Sequence, residues 1–471
     1  VVSISQSFLY EGSALISDPI HGYITFTVPT HLNPKEVTEK DLIDSPWMQR
    51  LRYIYQLQSA RWVYPSAEHS RFQHSLGAMH VAGRFAKHLY PSLKVLVPDC
   101  PSANYIEELL RVTAMVHDIG HGPFGHFFDE NFLEKFGITH ENVGQRIILE
   151  KLSPLIKKIR RSPIGPFEEG ETLDPEHVAF LILKDAKKDS SRFPRWLGFL
   201  QPTIGGTYTG DNLDYVLRDS YMCGVAVGPV DLNRLIHYTF FSEKGLTLHK
   251  VGLPALHMFL NTRLYLYSNV YYHRTTRAID IHLRDIFTET IQMIFSHNPV
   301  ENLDPYLDLT DWSLLEEVRR WGRSTSKQRR ALAGEWEKIL YRDVKWKMAY
   351  DVVLPTRGGE RGRVFMDQEL VSHRIREELP STLKDIPFKV DMANQDPRPL
   401  NPLSMGEFQI YVYNPSTQTV SKELLKDFFD FIPAKIVHCR VFSLNHDYDS
   451  QFSKAAEKVL GLEDSSIQTN V

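Results

Sequence analysis

The stretch from Leu109 to His126, LLRVTAMVHDIGHGPFGH, narrows the choices open to this chain more than any other. Apolar residues recur at three- and four-residue steps from Tyr105 to Val116, which predicts a buried helix. That helix delivers His117 and Asp118 at its C-terminal end, and Gly120, Gly122 and Pro123 then break it. A carboxylate and an imidazole at the inner end of an apolar helix are costly to bury unless they are paired or hold a metal ion. Nitrogen and oxygen donors of this kind accept Fe, Mn, Zn, Ni or Mg. The histidines are also unevenly spread: eight of the 20 (His69, His74, His80, His88, His117, His121, His126 and His140) fall between residues 69 and 140. Ordinary helix-face hydrogen bonding accounts for His80 and His88. The other histidines stand in more telling company, in HSRFQHSLG upstream and GHGPFGH downstream, and DNLDYVLRD opens a later helix with another carboxylate. Together these give a His…His-Asp…Asp pattern suited to a metal.

At 471 residues the chain exceeds what one hydrophobic core organises, so two domains are expected. A hairpin is predicted over Asp18–Val28, and Asp44-Ser45-Pro46 reads as a helix start with Asp or Ser as cap. Helical periodicity follows over Gln73–Tyr90, Tyr105–Val116, Asn142–Leu152, Leu213–Tyr221 and Leu256–Phe287. The pattern loosens around Asn298–Pro305, and strand-like pieces then appear at Tyr350–Leu354, Gly362–Met366, Phe388–Met392, Phe408–Tyr413 and Lys435–Leu444. The expectation is a mainly α protein. A helical domain would occupy residues 1–300, with its motifs in 18–220, and a smaller α+β region, for oligomerisation or regulation, would occupy 301–471.

A formal net charge of -4 gives no global attraction to nucleic acid. The basic runs KKIRR, RRWGRSTSKQRR and RGGERGR lack interleaved aromatics and read as solvated faces, so no nucleic-acid partner is expected. Cys100, Cys223 and Cys439 form no CxxC pair, which argues against a disulfide framework and a thiolate zinc site. No apolar run approaches membrane-spanning length, and a cytoplasmic location is expected. The P-loop pattern GxxxxGK[ST] and the nucleophile pattern GxSxG are both absent.

The ordered blocks DPIHG, SPWMQRLRYIYQL, HSRFQHSLG, HDIGHGPFGH, THENVG and DNLDYVLRDS run from Asp18 to about Asp219, with a fainter block at VYYHRTTRA. In them the chain resembles the HD-domain deoxynucleoside triphosphate triphosphohydrolases, especially the branch with the vertebrate enzyme that joins a sterile-alpha-motif to an HD domain. The resemblance implies His74, His117, Asp118 and Asp211 as ligands of a divalent metal, and hydrolysis of a deoxynucleoside triphosphate (dNTP) to deoxynucleoside and inorganic triphosphate, with Mg on the substrate phosphates. It implies His126 as the general acid with Asp129 as its orienting carboxylate, and His121 and His140 on the phosphate oxygens. Arg71 matches a phosphate-contacting arginine, Gln56 and Leu57 match residues lining sugar and base, and Tyr215 and Asp219 match groups at the 3′-hydroxyl. Asp211, Tyr215 and Asp219 are spaced at four residues and share one helix face. His273 and Arg277 share another face and are candidates for phosphate contact.

An activating nucleotide is implied at Asp44, Gln49 and Arg52, and a homo-oligomer, dimer or tetramer, is expected. Two positions depart from the branch: Asn212 stands where a phosphate-contacting lysine follows the last ligand, and Ala14 where the regulatory site has a lysine. Two alternatives therefore stay open. One is an HD phosphohydrolase acting on a monophosphate, a cyclic dinucleotide or a guanosine alarmone; the other is a non-catalytic nucleotide- or nucleic-acid-binding module.

Overall fold

The computed structural model describes residues 11–183, 192–226, 230–356, 367–395, 410–422 and 435–461. The strand expected at Gly362–Met366 and the run RGGERGR lie outside them. The chain is mainly helical with small sheets, and it divides into two compact units. The first takes Val1–Thr262, Ile291–Glu317 and Pro402–Leu425; the second takes Arg263–Thr290, Val318–Asn401 and Lys426–Val471.

In the first unit a hairpin, β1 (Ser13–Asp18) and β2 (Gly22–Thr27), precedes the helices. Asp18 Oδ1 accepts the backbone N–H groups of Ile20 and His21 and shapes the turn, which Gly22 closes with φ +74. The central helix α1 (Arg71–Leu96) starts from a reciprocal cap, in which Gln73 reaches back to the Ser70 N–H at 3.1 Å. Its stripe of Phe72, Leu76, Met79, Phe85, Leu89 and Leu93 is buried. Each such side chain contributes on the order of 1.5–3 kcal/mol by leaving water. Helix α2 (Ala103–Val116) starts at Ser102, whose Oγ accepts from Tyr105 N, and is buried from Tyr105 to its end. It packs on α1, as does α4 (Gly210–Met222); α3 (His140–Ile147) lies between them in sequence.

Two expectations are corrected and a third is narrowed. The helical run Leu256–Phe287 is broken into Leu253–Leu266 and Arg274–Ile294, separated by a wide helical turn over Tyr267–Tyr271. Tyr272 leaves helical backbone there, and His273 Nδ1 accepts from Thr275 N at 3.2 Å, so it caps the next helix. The first 300 residues also hold an unexpected hairpin, β3 (Thr239–Ser242) and β4 (Gly245–His249). Strand Tyr411–Asn414 pairs in parallel with β4 within the same unit, and antiparallel with Thr419–Ser421. Finally, Ser45 alone caps Pro46–Arg50, whereas Asp44 ends the preceding helix Glu39–Ile43.

The second unit contains a three-stranded antiparallel sheet with Lys435–Ser443 between Lys347–Thr356 and Phe388–Gln395. Period-two alternation sends Val437, Cys439 and Val441 into a core with Val371, Ile375, Phe452 and Leu460 of the helices Gln368–Glu378 and Asp449–Leu460. His438 and Arg440 alternate with them and are buried too. Among the described residues no helix is long and apolar enough to cross a membrane.

The contact between α1 and α4 depends on Gly77, where a Cβ would stand 1.8 Å from Asp214 Oδ1. Gly77→Ala is expected to destabilise the protein by about 1–3 kcal/mol despite alanine's better helix propensity, because the clash outweighs it. Gly334, inside the helix Lys327–Leu340 with nothing within 4 Å of its missing Cβ, provides the contrast: Gly334→Ala should stabilise by about 0.5–1 kcal/mol. Equilibrium unfolding of both variants checks the opposite signs.

Candidate metal centre

Three helices of the first unit deliver the central residues. His74 lies one turn into α1, His117 is the C-cap of α2 with Asp118 next, and Asp211 sits in the first turn of α4. His74 Nε2 is 3.1 Å from Asp211 Oδ1, 3.4 Å from His117 Nε2 and 3.8 Å from Asp118 Oδ2. His117 Nε2 is 3.3 Å from Asp118 Oδ1 and 3.6 Å from Asp211 Oδ1. Donors bound at about 2.1 Å to one divalent ion, at octahedral or tetrahedral angles, stand about 3.0–3.4 Å apart.

The tautomers make the case for a cation sharper. His117 Nδ1 lies 2.6 Å from the Ala114 carbonyl and His74 Nδ1 lies 2.8 Å from the Asp214 carboxylate. Both partners only accept, so each Nδ1 carries a proton and each ring turns its Nε2 toward the other. Two imidazole nitrogens and two carboxylates converging in a buried space call for positive charge among them, which protons on the rings supply in the metal-free protein and a bound cation would supply in their place. Burial disfavours charge on His74, yet Asp211 and Asp214 outweigh it and push its pKa up to about 10. His117 is raised against its own burial by Asp118 and Asp211. Asp118, although buried, is held well below the usual carboxylate range by His117, Arg71 and His121. These residues fit a divalent metal.

A second group adjoins it, built by the loop after α2 and by the first residue of α3. The rings of His121 and His140 stack with centroids 3.7 Å apart, and His126 meets His121 edge-on at 4.7 Å. Asp129 Oδ2 lies 2.6 Å from His140 Nδ1, 3.3 Å from His126 Nδ1 and 3.6 Å from His121 Nδ1. Burial, then Arg71 and His140, push the His121 pKa down to about 3, so this ring is neutral at pH 7. His121 and His140 hold Asp129 ionised against the cost of its burial. The His126 side chain is 57% exposed, so it is the member of the group open to an incoming molecule.

The loop is held tightly. A Cβ on Gly120 would lie 2.0 Å from the His140 carbonyl oxygen, so only glycine lets the loop meet α3. Phe124 and Gly125 have φ of +63 and +52, and a Cβ on Gly125 would lie 2.3 Å from Arg71 Nη2. Arg50 donates to the carbonyls of His121 and Leu309, both at 2.7 Å, and Tyr306 Oη donates to the Gly120 carbonyl at 2.8 Å. Asp311 Oδ1 accepts from Phe124 N at 3.3 Å.

The other expected residues are distributed as follows. Arg71 Nη1 bonds Asp118 Oδ2 at 2.6 Å, beside the metal donors. The Tyr215 ring lies edge-on to His74 at 6.5 Å, and Asp219 Oδ1 is 2.8 Å from His69 Nε2. Leu57 is buried, as is Gln56 Oε1, which has no hydrogen-bond partner, while Gln56 N donates to the His69 carbonyl. Asn212 Nδ2 donates to the Gly206 carbonyl at 3.1 Å. Asp44 pairs with Lys40, Gln49 accepts from Arg52 Nε at 2.8 Å, and the Arg52 guanidinium lies 3.8 Å over the Phe72 ring. His273 and Arg277 belong to the second unit, where Arg277 grips Asp391 at 2.6 and 3.0 Å.

Sequence reasoning missed Asp214, Arg218, His21, His69, Arg50, Tyr306 and Asp311. Two signals were readable: Asp214 and Arg218 are an i,i+4 ion pair, and Gly77 in mid-helix, three residues after His74, marks a close approach.

Residues 71–188 match the HD domain family, and residues 230–352 match the HD associated region. The chain contains an HD domain. An uncharacterized protein of Methanocaldococcus jannaschii is 32% identical to it over 316 residues, 65% of this chain and 57% of that protein. The deoxynucleoside triphosphate triphosphohydrolase SAMHD1 of Homo sapiens is 27% identical over 422 residues, 81% of this chain and 62% of that enzyme. The HD-domain chain thus spans 57% and 62% of the lengths of these relatives. A hypothetical protein of Aquifex aeolicus, known from its crystal structure, shares the fold at a TM-score of 0.67 and 25% identity, covering 95% of this chain and all of that one.

Burial pushes the Asp311 carboxyl up to about 6. The folded state therefore holds a proton that the unfolded state, with a pKa near 3.9, releases earlier, and the protein loses stability as pH rises from about 4 through 6. Asp311→Asn keeps an acceptor for Phe124 N and removes the titration. It should gain on the wild type by up to about 2–3 kcal/mol between pH 4 and pH 8, read from paired unfolding curves. Curves that stay parallel would contradict this.

Proposed function

We propose that this HD-domain protein hydrolyses deoxynucleoside triphosphates to deoxynucleoside and inorganic triphosphate. The observation that carries the reading is the convergence of His74, His117, Asp118 and Asp211 beside the His121, His126, Asp129 and His140 group, with relatives named for that activity. A divalent cation held by the first four residues supplies charge neutralisation at the phosphate and acidifies a water molecule. The second four do the proton and anion work. His126, exposed and backed by Asp129, protonates the departing 5′ oxygen. Neutral His121 and Asp129-bound His140 donate to phosphate oxygens. Arg71 adds a fixed positive charge, and a Mg ion on the outer phosphates offsets their remaining charge.

The sugar is met by the α4 face that carries Tyr215 and Asp219, with Gln56 and Leu57 opposite. The buried, unpartnered Gln56 Oε1 suits a hydroxyl donor. We further propose an activating nucleotide at Asp44, Gln49 and Arg52, a homo-oligomeric assembly and a cytoplasmic location. One observation favours a second reading: Asn212 is spent on the Gly206 carbonyl and brings no charge, so a less charged nucleotide substrate competes with a triphosphate.

Asp118→Ala should lose both bound metal and activity. His126→Ala should keep its metal while turnover falls by about 10²–10⁴, the usual worth of a general acid. Elemental analysis alongside chromatography of the products from each dNTP, singly and in mixtures, checks this. Release of orthophosphate or pyrophosphate in place of triphosphate would move the assignment to the second reading.

A further inference from the structure

We propose that His21, in the turn between β1 and β2, is a positioning residue for the metal ligand His74 and acts on it through Asp214. The proposal rests on the metal-centre reading. The Asp214 side chain is fully buried, with four donors around its two oxygens. Oδ2 accepts from His74 Nδ1 at 2.8 Å and Arg218 Nε at 2.9 Å, and Oδ1 accepts from His21 Nε2 at 2.7 Å and Arg218 Nη2 at 2.9 Å. A carboxylate offers about four lone-pair directions, and all four are used. The Arg218 fork spans both oxygens, while His21 on Oδ1 and His74 on Oδ2 each hold one of them.

His21 belongs to a closed ring of interactions. Asp18 Oδ1 accepts the N–H groups of Ile20 and His21, which aims the His21 side chain, and Asp18 Oδ2 accepts from Arg218 Nη1 at 2.8 Å. Turn, His21, Asp214, Arg218 and Asp18 therefore brace one another. The His80 ring, 5.0 Å from that of His21, confines it from α1. Arg218 alone grips Asp214 from one side; the His21 hydrogen bond opposes it and keeps Oδ2 on His74 Nδ1. Without the imidazole at position 21 the carboxylate swings toward the guanidinium, the Nδ1 bond lengthens, and the Nε2 lone pair drifts from the point it shares with His117. Partners of this kind, one bond behind the ligands, typically change metal affinity by about 10–100-fold.

The test is titration of the metal-free full chain with Mn²⁺ in competition with a chelator, for wild type, His21→Leu, His21→Gln and His21→Asn, with thermal unfolding of each metal-free protein. The glutamine amide reaches as far as an imidazole Nε2, whereas the asparagine amide falls short. The expected result is affinity at least tenfold weaker for His21→Leu and His21→Asn, and within a few-fold of wild type for His21→Gln. Equal affinity for His21→Asn and His21→Gln, in proteins that fold, overturns the proposal even if His21→Leu does not fold. A wild type that binds no Mn²⁺ brings down the metal-centre reading, and this inference with it.

Discussion

Two imidazole nitrogens, His74 Nε2 and His117 Nε2, face each other across 3.4 Å with their protons committed elsewhere. The carboxylates of Asp118 and Asp211 beside them add negative charge, so the point where the four groups meet favours a cation. A cation held at this point would account for the packing around it. α1 and α4 must approach closely enough for Asp214 to reach His74, which Gly77 permits. α2 must stop at Val116 so that His117 and Asp118 turn inward together.

The neighbouring histidine group depends on the same centre but has a different electrostatic character. Arg71 ties Asp118 and depresses His121, so the side facing the metal donors is kept neutral while Asp129 stays ionised. The loop joining the groups contains positive φ at Phe124 and Gly125 and is held by Arg50, Tyr306 and Asp311. Arg50 comes from before α1 and the other two from beyond residue 300. Segments distant in the chain therefore hold in place a loop that its own sequence leaves strained.

What could be read from the sequence follows a physical division. α1, α2 and α4 were legible because each carries an apolar stripe and a side-chain cap, and the break after His117 was legible because Gly and Pro forbid helix. The convergence of the candidate donors was legible because charged groups stood in apolar surroundings. The contact between Asp214 and His21 was not, since the two are 193 residues apart. Pairing of β4 with Tyr411–Asn414 was equally hidden, because parallel neighbours leave no local turn signal. The single helix expected over Leu256–Phe287 failed because apolar spacing persists through the wide turn at Tyr267–Tyr271. The pair of Arg277 with Asp391 was hidden as well, because helical spacing carries no information about a strand 114 residues further along.

The proposed reaction places water attack and departure of the 5′ oxygen at a single phosphorus atom, the one bonded to that oxygen. Turnover of a dNTP by the metal-replete protein in ¹⁸O-water, with mass spectrometry of both products, tests it most directly. The account predicts a single ¹⁸O in inorganic triphosphate and none in the deoxynucleoside. Label in orthophosphate, pyrophosphate or the 5′-hydroxyl would contradict it.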